Sequence, residues 1–88
     1  LEDEDFRLQQ KAAEANLRIA RANLIQTTAD ERRQQQLRSS NAISAAEYER
    51  SVAAKDAAIG QELSAQRQLE IAGNQLAYCT LVAGTDGI

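Results

Sequence analysis

The sequence predicts a mainly α fold: a long antiparallel helical hairpin of coiled-coil type, followed by a short strand. Three observations predict it. Ala, Gln, Glu and Arg make up about half of the 88 residues, with only Phe6, Tyr48 and Tyr78 aromatic and no Trp, Met or Pro, which is a helix-forming composition. Apolar residues recur at steps of three and four along two long stretches. Between those stretches lies a short polar break, "SSNAIS", Ser39 to Ser44.

The first helix runs from Asp3 to about Leu37 without Gly or Pro. Its apolar stripe is Phe6, Ala13, Leu17, Ala20 and Leu24, a heptad-like seam. Glu2, Asp3, Glu4 and Asp5 stand at its N-terminus and Arg32, Arg33 and Arg38 in its last turns. Both ends therefore complement the helix macrodipole.

The turn falls within Ser39 to Ile43, because "SAAE" places Ser44 at an N-cap and Glu47 three residues on, the signature of a capping box. Apolar positions after it are Tyr48, Val52, Ile59, Leu63, Leu69 and Leu76, interrupted by Lys55, Glu62 and Gln66. A connection of about five residues makes consecutive helices antiparallel neighbours. With arms of on the order of 50 Å, residues whose numbers sum to roughly 83 lie opposite one another. Leu24 is then expected to face Ile59, and Phe6 to face Leu76, with Leu17, Leu24, Ile59 and Leu63 in the seam.

Gly73 and Asn74 read as helix-ending residues. After them "LAYCTLV", rich in β-formers and followed by "AGTDG", reads as a strand and a turn. One strand cannot stand alone and needs a partner near Leu1 or beyond the chain. The expected organisation is a strand end over residues 1–2, the hairpin over 3–74 and a returning strand over 75–88. The abrupt start at Leu1 and stop at "TDGI" read as an excised piece of a longer protein.

Composition also limits function. The net charge of −3 disfavours a phosphate-binding surface, so nucleic acid is not an expected partner. There is no His, which removes His-based triads and most zinc or iron sites. The acidic cluster Glu2 to Asp5 is explained by the helix dipole before a cation, and Asp30 and Glu31 beside Arg32 and Arg33 read as solvated surface. No Gly-rich phosphate loop occurs. An enzyme is not expected, nor any cofactor or metal. Cys79, the single cysteine, reads as a small buried hydrophobe. No apolar run approaches the roughly 20 residues that span a bilayer.

Arg33, then Leu37 four residues on, then Ser44 seven beyond, in "RQQQLRSSNAIS" followed by "AAEYE", resembles the Arg-Leu-Ser tip motif of periplasmic adaptor proteins, the membrane fusion proteins of tripartite efflux pumps. "LEDEDF" is similar to that family's strand-to-hairpin lead-in, and "NQLAYCTLVAGTDGI" to its return into a lipoyl-like domain, so the resemblance covers essentially the whole chain. Ala83-Gly84 stands where the family usually has Ala-Pro, and Cys79 where Thr is common, which leaves the local geometry of the return open.

The resemblance implies a hairpin with short strand remnants of a lipoyl-like domain at its base. It implies a periplasmic location in a Gram-negative bacterium, with the inner-membrane anchor outside this chain. It implies an adaptor that links an inner-membrane transporter to a TolC-type outer-membrane channel in multidrug efflux, self-associates side by side with other protomers, and docks through Arg33, Leu37 and Ser44. Arg33 and Leu37, at i and i+4, share a helix face and can present a guanidinium fork beside an apolar knob. Each also has a plainer role open to it: Arg33 as a partner of the helix dipole, Leu37 as a seam residue, Ser44 as an N-cap alone. Two other readings share the composition: an adaptor of a protein-secretion system, and a structural antiparallel coiled-coil scaffold.

Overall fold

A computed structural model describes the backbone over residues 2–86, with side chains described over 4–78 and at Leu81. Two helices make up the fold, α1 (Glu2–Ser39) and α2 (Ala45–Asp86). They pack against each other as an antiparallel hairpin measuring 70 × 14 × 13 Å. The turn lies where the sequence predicts it, between Ser39 and Ala45. So does the register: Arg21 meets Glu62, and Gly73 lies against the side chain of Gln10.

In α1 the buried and half-buried residues include Phe6, Gln10, Ala13, Leu17, Ala20, Leu24, Thr27, Glu31, Gln34 and Arg38, a strict alternation of three- and four-residue steps. This is the expected stripe, continued to the turn by polar residues. In α2 the same alternation runs through Tyr48, Ser51, Lys55, Ala58, Glu62, Ala65, Leu69, Ala72 and Leu76. Its buried members are all alanines: Ala58 at 1% exposure, with Ala65 and Ala72.

That corrects the expected seam of α2. Ile59 and Leu63 are 44% and 51% exposed, one position round the helix from Ala58 and Glu62. Ile59 lies at the level of Leu24, as the register predicts, but its side chain is largely open to solvent while the adjacent Ala58 is buried. The physical reason is the strict heptad, in which a small residue of α2 accepts a large residue of α1. Leu17, 6% exposed, clusters with Ala20 and Ala65, and Leu69 packs against that cluster. Glu62 belongs to the seam rather than interrupting it, because its carboxylate reaches the seam's edge and accepts from Arg21 Nε at 3.4 Å.

The second correction concerns the C-terminal segment. The backbone is helical through Asp86, over most of the stretch expected as a strand, and Glu2 also belongs to a helix; Leu1 and residues 87–88 lie outside the described residues. A lone strand leaves its N–H and C=O groups without a ladder, whereas a helix pairs them within the segment. Gly73 does not end the helix, since no glycine takes positive φ among the described residues, and a glycine C-cap requires that conformation. Leu76 meanwhile continues the half-buried stripe. The side chain of Cys79 lies outside those described, so its expected burial does too.

Two outcomes follow for stability. Ala58→Leu overpacks the seam and should cost about 1–3 kcal/mol, whereas Ile59→Ser should stay within about 0.5 kcal/mol; chemical denaturation of both variants checks the ranking. An Ala-based seam buries little area at about 25 cal/mol per Å². The isolated chain should therefore melt below roughly 80 °C by circular dichroism.

Candidate functional site

The tip is built by a helix stop and a helix start five residues apart. α1 ends in a Schellman motif: Ala42 N–H donates to the Leu37 carbonyl at 2.8 Å and Asn41 N–H to the Arg38 carbonyl at 3.0 Å. Asn41 supplies the left-handed residue this requires, at φ 59°, and Asn tolerates that region better than most residues. The Ser40 and Ser39 hydroxyls donate to the Leu37 and Gln35 carbonyls, each at 3.0 Å. Arg38 Nη1 staples the turn, donating to Asn41 Oδ1 and to the Ile43 carbonyl, both at 3.4 Å. Its guanidinium therefore serves the fold of the turn as well as the helix dipole.

α2 starts as the sequence predicts. Ser44 Oγ accepts from Glu47 N–H at 3.1 Å, the forward half of the capping box.

The three residues of the tip motif are all placed at this end. Arg33 is exposed and donates to Asp30 Oδ1 at 3.5 Å, a surface pair one turn apart that contributes little stability and leaves most of the guanidinium's donors to solvent. Leu37 is 36% exposed and lies beside the seam, whose line passes through Arg38. Its carbonyl anchors the Schellman motif while its side chain is partly open to solvent. Ser44 is exposed; as a cap it accepts one bond and keeps its O–H donor. Arg33 and Leu37 thus share one side of α1, with Ser44 across the turn from them.

One functional-looking contact escaped the sequence reading. Tyr48 O–H donates to Glu31 Oε1 at 2.9 Å, joining the arms just below the turn. Glu31 reads in sequence as solvated surface and Tyr48 as an apolar seam residue. Continuing the heptad of α1 from Leu24 through Thr27 to Glu31 would have put both on facing stripes. The carboxylate's hydrogen bond, then partial burial and the negative charge of Glu31, hold the Tyr48 phenol above its ordinary pKa. The sign follows: a raised folded pKa means the contribution is whole below about pH 10, the ordinary tyrosine value, and is lost as pH rises past it.

Elsewhere the concavities are grooves between the helices, lined by side chains such as Asn16, Gln68 and Ile71. No described helix is long and apolar enough to cross a membrane. In comparisons with known proteins, no family model, curated protein or solved structure matches this chain.

Ser44→Ala removes the cap acceptor and should cost about 1 kcal/mol. Urea unfolding is the check, with Ser44→Asp, which retains an acceptor, expected to stay near the wild-type midpoint.

Proposed function

We propose that this chain is the docking hairpin of a periplasmic adaptor of a tripartite efflux pump. In that role its tip meets the coiled-coil end of a TolC-type outer-membrane channel. The inner-membrane transporter is engaged, and the membrane anchored, by parts outside these residues. One observation carries the reading: a narrow two-helix rod 70 Å long ends in a tightly bonded turn around which Arg33, Leu37 and Ser44 remain open to solvent. The rod supplies reach, and the turn supplies a fixed platform for one cation, one apolar knob and one hydroxyl.

Charge along the outer sides supports association with further copies. Away from α2, α1 carries Lys11, Arg18 and Arg32 beside Ala15, Ala22 and Ala29; away from α1, α2 carries Glu49, Asp56 and Glu70, with one cation, Arg67, beside Ala53 and Gly60, all exposed. Hairpins laid side by side in one direction bring Lys11 to the level of Glu70 and Arg32 to that of Glu49. Gly60 faces open space and costs the helix about 1 kcal/mol relative to Ala. The packing of α1 on α2 does not account for it, and close approach of a neighbouring helix does.

A completed lipoyl-like domain belongs to the same reading. Its partner strand would give residues 75–86 the ladder they need to leave the helix. The helix through Asp86 favours a second reading, a structural coiled-coil scaffold with no role for its tip.

The two readings rank variants oppositely. In the intact protein Arg33→Asp should cost about 0.5 kcal/mol or less in stability while channel binding and efflux of toxic compounds fall sharply. Leu37→Asp should weaken docking by several kcal/mol if the site is desolvated on contact. A scaffold instead tolerates both and fails with Leu24→Asp. Drug resistance scored with fold retention separates them, and full resistance in an Arg33→Asp strain rejects docking through this tip.

A further inference from the structure

We infer that Glu31 and Tyr48 form a positioning pair that sets the height and spacing of the two arms at the tip, an inference that rests on the docking role proposed above. Among the described residues the buried ones are Ala13, Leu17 and Ala20 on α1, and Ala58, Ala65 and Ala72 on α2. From Arg21 to Ala57 no residue is buried. Over that stretch the seam line passes through Leu24, Thr27, Glu31, Gln34 and Arg38 on one arm and Tyr48, Ser51 and Lys55 on the other. A seam so polar gains little from any one register, because apolar area removed from water is what penalises a slip.

Register near the tip must therefore be set by directional contacts. Arg21 with Glu62, and Asn23 with Gln61, act beside the last buried residues, Ala20 and Ala58, at 3.4 and 3.5 Å. Between Asn23 and the turn, Tyr48 O–H to Glu31 Oε1 is the one side-chain hydrogen bond joining α1 to α2 among the described residues, and at 2.9 Å it is the shortest of the three. It is charge-assisted and part-buried, the circumstances in which such a bond is strongest and most sensitive to misalignment. It also closes residues 31–48 into a loop that contains Arg33, Leu37 and Ser44. Arg33 follows Glu31 by two residues and Ser44 precedes Tyr48 by four, so a slip at the pair moves the cation and the hydroxyl relative to each other. Neither residue needs to touch the channel. They act through the tip they hold.

The test separates geometry from docking. In the intact protein, with Cys79→Ser, spin labels at Gln36→Cys and Ala46→Cys report the distance across the tip by pulsed electron resonance. Tyr48→Phe should broaden that distribution and lower channel affinity about tenfold, the scale of one lost hydrogen bond to a charged group, while far-UV circular dichroism is unchanged. Glu31→Ala should do the same. Glu31→Gln keeps an acceptor of the same reach and should retain the narrow distribution. In a double-mutant cycle, Tyr48→Phe with Glu31→Ala should be no worse than either alone. An unchanged distribution in Tyr48→Phe overturns the pairing, and a broadened one with unchanged channel affinity overturns its positioning role. Arg33→Asp serves as the separate control: if it leaves affinity unaltered, the docking reading has failed, whatever the distance shows.

Discussion

Small residues set against large ones across a strict heptad are the constraint from which the rest of this hairpin follows. Leu17 meets the small side chains of Ala20 and Ala65, and Leu69 completes the cluster. Because the alanines of α2 fall at seven-residue intervals, only one face of that helix can sit against α1 over many turns. That face admits Lys55 and Glu62, whose long stems cover the seam while their charges reach its edge. It excludes Ile59 and Leu63, although these are larger and more apolar. Complementary shape repeated along the rod outweighs the hydrophobicity of individual residues that are out of phase with it.

Much of this was legible in the sequence, and the failures have a common cause. The stripe of α1 could be read because its large residues, Phe6, Leu17 and Leu24, lie on the seam itself. The turn could be read because Ser44 and Glu47 form a local signal that depends on no partner. The stripe of α2 was not legible because its larger apolar residues Ile59 and Leu63 lie off the seam, whereas the packing follows Ala58, Ala65 and Ala72, residues too common to announce a face. The C-terminal strand expectation had the same weakness: β-propensity describes how residues suit a pleated sheet, and the described residues offer no second strand to form one. Arg33, Leu37 and Ser44 were visible as a spaced set. Glu31 and Tyr48 were not, because a bond across the hairpin requires phase and register together.

The tip divides its labour among side chains that look alike in sequence. Arg33 and Arg38 are five residues apart, yet Arg38 is committed to Asn41 and Ile43 while Arg33 makes only a short-range surface pair. A rigid turn with one arginine consumed and one at the surface is the arrangement a contact end requires, since the platform must hold still while the contacting group remains available. The same division applies to Leu37, whose backbone belongs to the Schellman motif and whose side chain does not.

The polar half of the seam also bears on how the chain reaches its fold. A hairpin stapled by apolar contacts near its turn can zip up from there, each new pair enclosing only a few more residues. Here the buried residues nearest the turn are Ala20 on one arm and Ala58 on the other, so the first contact that excludes water must close a loop containing the whole tip. Loop closure costs only about 0.6 kcal/mol per doubling of length, which makes such a start affordable but slower than local zipping. Preformed helical segments shorten the search, and the Schellman turn and the Ser44 cap, both local, can begin to form before the arms meet. The end of the hairpin proposed to make contact is thus specified early by its own backbone, and is drawn into register only when the buried seam beyond it has closed.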